Sequence, residues 1–188
     1  MASAKGNKKK DPKKKVNINP MIWADISIIA VIIVLDRIIK IYATNRLKDH
    51  PGISLIKKVL ELTYLENNGA AFGLLKGQRS FFIFVSALIF IAVIFLFYKM
   101  PNKKKFRMAH IALSMLTGGI AGNLIDRIFY NYVIDYIYFS SIHFPIFNIA
   151  DFFVSIGTVI IIVLLLFVYS EDDLNFLRIT EKKLRDIK

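Results

Sequence analysis

Three long apolar segments without a formally charged residue stand out along the chain: Ser80–Tyr98, Met108–Ile125 and Phe152–Ser170. At about 1.5 Å of rise per residue, a helix of that length crosses a bilayer core of about 30 Å. A fourth segment, about Met21–Ala43, carries charges toward its ends, where they can reach the interface, around an apolar centre at Ile26–Leu35. The pattern predicts a mainly α membrane protein with four transmembrane helices, at about 21–43, 80–98, 108–128 and 150–170.

The segment nearest the N-terminus, about Met21–Ala43, admits two interpretations. Lysines precede it, as in a secretory signal peptide, but no small-residue cleavage site follows, and the next residues are DRIIK. We therefore predict a retained helix. The composition agrees with a membrane protein, because 55% hydrophobic residues and a mean hydropathy of +0.51 are high for a soluble chain of 188 residues.

Charge predicts the orientation of these helices. Of the 26 lysines and arginines, seven precede Pro20, five lie in Lys99–Arg107 and five follow Ser170. Because cytoplasmic loops carry the excess of basic residues, both termini and the middle loop are predicted to be cytoplasmic. We expect residues 1–20 to form a disordered basic tail, suited to topology or lipid headgroups more than to nucleic acid, and residues 171–188 a second charged tail.

With both termini inside, the loops 44–79 and 128–146 lie outside, and the polar residues at the helix ends gather on the extracytoplasmic side. This convergence, which follows from hydropathy and charge alone, predicts a functional site there. The residues concerned are Asp36, Lys40, Asn67, Asn123, Asp126, Arg127, Asp135, Asn148 and Asp151.

Two carboxylates in this group suggest the chemistry. Asp135 and Asp151 are separated by 16 residues, a connection long enough to fold back and bring them together. Close carboxylates in a desolvated site tend to share one proton, so that one acts as a base toward water while the other polarises a carbonyl. Alternatively, Asp151 is only an N-terminal helix cap. Asp135 and the polar groups on the same side favour the pair, and hence peptide hydrolysis.

Other chemistries find little support. The chain has no cysteine, which excludes disulfides and thiolate catalysis, and its three histidines form no pair with metal-ligand spacing. We therefore expect no metal and no cofactor.

The remaining polar motifs keep two interpretations each. Asp36 and Lys40 are four apart, which favours a structural ion pair over catalysis. The small residues Gly69–Ala71 after Asn67 form either a hairpin turn or a place where the backbone approaches an extended ligand.

Small residues also mark the third helix. Gly118, Gly119 and Gly122 predict close packing against a neighbouring helix. The next two polar residues, Asn123 and Asp126, share a helix face. Arg127 then pairs with a carboxylate or interacts with the C-terminus of the helix; its position does not say which.

In the order DRIIK, NNGAAF, GGIAGNLIDR, VIDY and FNIAD, these motifs resemble those of the bacterial lipoprotein signal peptidases, also called signal peptidase II, from about Asp36 to Ser170. The resemblance implies an intramembrane aspartic endopeptidase of the plasma membrane, with its active site on the extracytoplasmic side. It would remove signal peptides from prolipoproteins on the amino side of a diacylglyceryl-modified cysteine.

The same resemblance assigns roles to individual residues. Asp135 and Asp151 match the catalytic pair. Substrate-binding or supporting roles are implied for Asn67, Gly69, Asn123, Asp126, Arg127, Asn148, Asp36 and Lys40. The family fold adds a small extracytoplasmic β-cradle and an interfacial helix within 44–79, and the implied partners are lipidated precursors and membrane lipids, with the enzyme as a monomer.

The sequence departs from the family pattern at three positions: Arg37, Ile39 and Phe152 stand where glutamine, threonine and serine are common. Three other functions fit less well. A transporter or proton relay would spread its polar groups across the membrane and often shows a repeated half. A scaffold would use the aspartates only for structure, and a Ser–Lys peptidase based on Lys40 lacks an evident serine.

Overall fold

The structure is a computed structural model that describes residues 20–69 and 78–177. The predicted basic tail up to residue 19, the small residues Ala70 and Ala71, and the C-terminal tail from residue 178 onward lie outside the described residues.

Four long helices form the body of the protein: α1 (Pro20–Leu47), α2 (Arg79–Lys99), α3 (Arg107–Phe129) and α4 (Ile149–Phe167). In the described part of the chain, three helical stretches are long and apolar enough to cross a membrane, and they correspond to α2, α3 and α4. The protein is therefore a multi-pass membrane protein, as the apolar pattern predicts. That α1 also spans the membrane stays a prediction.

The first helix continues four residues beyond the end suggested by hydropathy. It runs to Leu47, because Ala43 and Leu47 are buried against Ile134 and Tyr136 of the sheet described below. Packing against another element therefore extends this helix past its apolar segment.

Close contacts at two glycines of α3 fix how the helices pack. A Cβ added to Gly122 of α3 would lie 2.6 Å from Asp36 Oδ2 of α1, and one added to Gly119 would lie 2.5 Å from the Ala150 carbonyl oxygen of α4. Both contacts are too short for any residue with a side chain, so the close packing predicted for this motif is confirmed.

Three antiparallel strands form a small sheet: β1 (Ile53–Ile56), β2 (Leu60–Asn67) and β3 (Val133–Phe139), in the order β1-β2-β3. Beyond β3 the chain folds back, and Phe147 pairs with Ile137. This return starts α4 beside β3, as the proposed meeting of Asp135 and Asp151 requires.

The sheet lies at one end of the helix bundle, where α1 and α3 end and α4 begins; we call this the sheet end. The opposite end, where α1 and α3 begin and α2 ends, is called the basic end. In the described part of 44–79, the chain forms the end of α1, the strands β1 and β2, and the first residue of α2. The interfacial helix stays a prediction.

Candidate active site

Two carboxylates from different elements meet at the sheet end. Asp135 lies on β3 and is 1% exposed, and Asp151 lies in the first turn of α4. The side chain of Asn148, the residue before α4, is buried between them: its Nδ2 donates to Asp135 Oδ1 at 2.6 Å, and its Oδ1 accepts from the Asp151 backbone N–H at 3.1 Å. One asparagine thus fixes the position of both residues.

Asp135 is surrounded by neutral hydrogen-bond donors. On its other side, Asn67 Nδ2 donates to Asp135 Oδ2 at 2.7 Å. The two residues meet because Leu65 of β2 pairs with Asp135, which places Asn67 one diagonal position away on the same face of the sheet. Burial and, after it, the charge of Asp151 raise the pKa of Asp135 to about 7, although both asparagine hydrogen bonds favour the ionised form.

Asp151 is held by two donors of its own. Asn123 Nδ2 donates to Asp151 Oδ1 at 2.7 Å, and the Asn148 backbone N–H donates to Asp151 Oδ2 at 3.1 Å. The cap of α4 is Asn148, and Asp151 completes a capping box as the third helical residue. The interpretation of Asp151 as the N-terminal cap itself is therefore wrong, because the cap is Asn148. One carboxylate oxygen of Asp151 supports that cap, and the other accepts from Asn123 of α3.

A second group of charges lies behind this pair. Lys40 Nζ is 2.8 Å from Asp36 Oδ2 and 2.8 Å from Asp126 Oδ2, which confirms the predicted Asp36–Lys40 ion pair. Arg37 forms an ion pair with the other oxygen of Asp126. We call Asp36, Arg37, Lys40 and Asp126 the charged cluster. It contains two carboxylates and two cations, and all but Arg37 are fully buried.

Asn123 connects the charged cluster to the carboxylate pair. Its Oδ1 accepts from Lys40 Nζ at 2.9 Å and from Asn148 Nδ2 at 3.1 Å, while its Nδ2 donates to Asp151. Because the lysine is only a donor, it fixes the side-chain amide of Asn123 with its NH₂ group toward Asp151. The engagement of Lys40 with three buried partners also leaves no free amine for a Ser–Lys mechanism.

The carboxylate pair opens on a cavity of about 550 Å³. Polar residues and one glycine line one part of it: Asn67, Gly69, Arg127, Asp135, Asp151 and Ser155. The remainder of the wall is apolar and is formed by Phe139, Ile142, Phe144, Pro145, Ile146, Phe147 and Phe152. The cavity therefore offers hydrogen-bonding groups beside the carboxylates and a mainly aromatic surface for an apolar ligand.

Two predicted residues have roles that spacing left open. Gly69 donates its backbone N–H to Asn67 Oδ1 at 3.0 Å, which orients the amide that binds Asp135, and it also lines the cavity. Arg127 Nη1 donates to the Asn123 carbonyl oxygen at 3.5 Å, in the last turns of α3, and its guanidinium lies 5.8 Å from the centre of the Phe82 ring. The arginine therefore interacts with the helix end and faces the cavity.

Sequence reasoning did not assign a site role to Arg37 or to Tyr136, whose hydroxyl accepts from the Ile149 backbone N–H at 3.3 Å. The sequence marked Arg37 only as a departure from the family pattern, and no spacing rule links it to Asp126. Within residues 20–69 and 78–177, no three His, Cys, Asp or Glu side chains are grouped to hold a metal ion.

The chain is similar to several known proteins. A family model described as Signal peptidase (SPase) II matches residues 28–167. Among similar curated proteins are the lipoprotein signal peptidases of Clostridium tetani, 42% identical over 79% of this chain and 94% of the relative, and of Clostridioides difficile, 40% identical over 78% and 97%. A solved structure described as a bacterial membrane enzyme has a TM-score of 0.69 and 34% identity, over 77% of this chain and 88% of its own.

Proposed function

Since the chain belongs to the signal peptidase II family and removes signal peptides from prolipoproteins, we propose that it does so as an aspartic peptidase with Asp135 and Asp151 as its catalytic pair. One observation supports this most directly: both carboxylates are held by amide donors, and both line the same cavity. Neither forms an ion pair with a cation among the described residues.

The environments of the two carboxylates suggest which one holds the proton. Asp135, with a pKa near 7, is the protonated partner near neutral pH. Asp151 is the ionised partner, because it accepts from two donors in the first turn of α4, where the helix dipole favours negative charge. The assignment leaves a base and an acid facing one cavity.

Hydrolysis then needs no covalent intermediate. Asp151 takes a proton from a water molecule as the water oxygen attacks the scissile carbonyl carbon, and Asp135 donates its proton to the carbonyl oxygen. When the tetrahedral intermediate collapses, Asp135 recovers a proton from a hydroxyl of the intermediate. The C–N bond breaks and Asp151 passes its proton to the leaving nitrogen, which restores the starting pair. Asn67, Asn123 and Asn148 act as positioning residues throughout.

The cavity wall supports a lipidated substrate. Phe144, Phe147 and Phe152 form an aromatic surface beside the carboxylates, and it is suited to a diacylglyceryl chain. Cleavage on the amino side of the modified cysteine would then follow from anchoring the lipid next to the scissile bond. Gly69 leaves room for the extended peptide, and Arg127 offers donors to its carbonyl groups.

The distribution of basic residues supports four spans, with the sheet end outside the cytoplasm and the basic end within it. A reporter enzyme that is active only outside the cytoplasm should therefore be inactive when fused after Lys188 and active when inserted near His50. The reverse result would place the carboxylate pair on the wrong side of the plasma membrane for this substrate.

The enzymatic proposal is tested with the purified full-length protein and a synthetic precursor in two forms, with and without the diacylglyceryl group. We expect cleavage of the lipidated form before the modified cysteine, at an undiminished rate after exhaustive treatment with EDTA. Equal cleavage of both forms would contradict the role given to the aromatic wall. Loss of activity that a divalent ion restores would contradict the metal-independent mechanism.

A further inference from the structure

A second cavity, of about 460 Å³, lies at the basic end, where α1 and α3 begin. It is separate from the active-site cavity in position and in lining. The residues that matter for its chemistry are Asp25, Ile28, Lys104, Arg107, His110 and Ile111.

Buried polar residues form a fixed wall of this cavity. His110 Nδ1 lies 2.8 Å from Asp25 Oδ2, and Ser114 Oγ lies 3.4 Å from Asp25 Oδ1. His110 Nε2 is 3.4 Å from the Pro101 carbonyl oxygen, so the same histidine connects α1 to the loop before α3. With both Asp25 and His110 less than 5% exposed, this wall is part of the helix packing.

Two cations on the rim of the cavity have no such partner. Lys104 and Arg107 are exposed, and neither forms an ion pair in the described part of the chain. Their neighbour Lys105, by contrast, lies 2.6 Å from Asp173 Oδ2. Arg107 also begins α3, where the helix dipole favours an anion.

The cavity has an apolar part that lies deeper along the helices. Ile28 is eight residues beyond Pro20, or about 12 Å along α1, and Ile111 is one turn beyond Arg107 on α3. Trp23, the single tryptophan of the chain, lies between Pro20 and Ile28 on α1 and is 56% exposed. Tryptophan is typical of the membrane interface. The rim therefore lies near the headgroups and the apolar part near the acyl chains.

We propose that this cavity binds an anionic phospholipid, whose headgroup phosphate contacts Lys104 and Arg107 and whose acyl chain lies against Ile28 and Ile111. Charge complementarity at the rim and the apolar part below it both match this ligand, whereas an inorganic anion would use only the rim. The site does not depend on the proposed catalytic pair, because it lies at the opposite end of α1 and α3.

The single tryptophan provides the test. The full-length protein is reconstituted in bilayers of dibrominated phosphatidylcholine, which quenches Trp23 fluorescence, and ordinary phosphatidylglycerol or phosphatidylcholine is then titrated in. We expect phosphatidylglycerol to relieve quenching at concentrations at least about fivefold lower, the factor that one basic residue near an anionic surface provides. Similar concentrations for the two lipids would overturn the proposal.

Two double variants distinguish binding of phosphatidylglycerol in the cavity from its general attraction to basic residues at the surface. Lys104→Gln with Arg107→Gln should abolish the preference, whereas Lys99→Gln with Lys103→Gln removes the same charge near this end without touching the cavity lining and should leave it intact. Equal loss in both pairs would show only surface attraction and would refute the site. Both variants should still cleave a lipidated precursor in detergent, which confirms that they fold.

Discussion

Two pairs of carboxylates lie close together at the sheet end, yet their surroundings differ in kind. Asp36 and Asp126 are fully buried and are paired with Lys40 and Arg37. Asp135 and Asp151 are bound only by amide groups and face the cavity. A carboxylate paired with a buried cation is part of the helix packing, whereas one held by neutral amides beside a cavity can exchange a proton with a ligand. The partner, more than the burial, therefore separates the structural aspartates from the pair that we propose to be catalytic.

The largest effect on cleavage is expected for substitutions of the proposed catalytic pair. Asp135→Asn and Asp151→Asn keep shape and hydrogen-bonding capacity but remove proton transfer. Each should lower the cleavage rate by about 10²–10⁴-fold, the usual contribution of a general acid or base. The double variant should be little slower than either single one, because the two groups act as a unit. The rates are measured on a lipidated precursor.

Melting temperature serves as the control for these variants. Both should unfold near the wild-type temperature in the same detergent, since an asparagine at the third position of α4 still accepts a hydrogen bond from Asn148. Near wild-type cleavage by Asp151→Asn would show that this residue only completes the cap, and the catalytic pair would have to be abandoned.

The opposite result is expected in the charged cluster. Lys40→Met removes the cation that contacts both Asp36 and Asp126, and breaking a buried pair in this way costs about 3–5 kcal/mol of stability. We expect a much lower melting temperature, measured by the loss of folded protein on heating. Activity should fall as well, because Asn123 loses the donor that fixes its amide toward Asp151.

A matched substitution at the surface sharpens this point. Lys48 forms an ion pair with Glu66 at the same 2.8 Å separation, but both side chains are more than 30% exposed. Lys48→Met should therefore change the melting temperature far less than Lys40→Met does, because water screens an exposed ion pair. If Lys40→Met were equally mild, the charged cluster would not have the structural role that its burial implies.

Local sequence patterns predicted much of this architecture because they depend on near neighbours. Apolar runs indicated α2, α3 and α4, and the spacing of Asp36 and Lys40 indicated an ion pair, since residues four apart share a helix face. The contacts that spacing cannot show are distant in sequence. Arg37 and Asp126 are 89 residues apart, and Asp25 and His110 are 85 apart, so only helix packing brings them together.

The residues of the candidate site could be predicted from the sequence for a different reason. The predicted topology places the helix ends and loops on one side, and the motifs identified Asp135, Asp151 and their asparagines as a set. What the motifs could not give is the direction of each hydrogen bond. That Asn148 serves both carboxylates, and that Asn123 turns its NH₂ toward Asp151 because of Lys40, depends on the tertiary structure.

The smallest expected effect concerns the proton on Asp135. Because burial raises its pKa to about 7, the folded protein keeps this proton from about pH 4 to about pH 7, where the unfolded chain has released it. Folding stability should therefore fall as pH rises through this window, and the fall should be smaller in Asp135→Asn. Activity should likewise decline above about pH 7, as the acid of the pair is lost.

Asn67→Ala tests whether an amide donor tunes this proton. The Asn67 hydrogen bond favours the ionised form of Asp135, so its removal should raise the pKa further and move the alkaline decline of kcat/KM to higher pH. A hydrogen bond to a charged group contributes about 1.5 kcal/mol, which corresponds to about one pH unit. The maximum rate should fall, because Asp135 loses a positioning contact. Asn68→Ala, at the exposed neighbouring position, should leave the profile unchanged. A decline at unchanged or lower pH in Asn67→Ala would mean that Asp135 is not the acid of the pair, and the assignment of the proton would have to pass to Asp151.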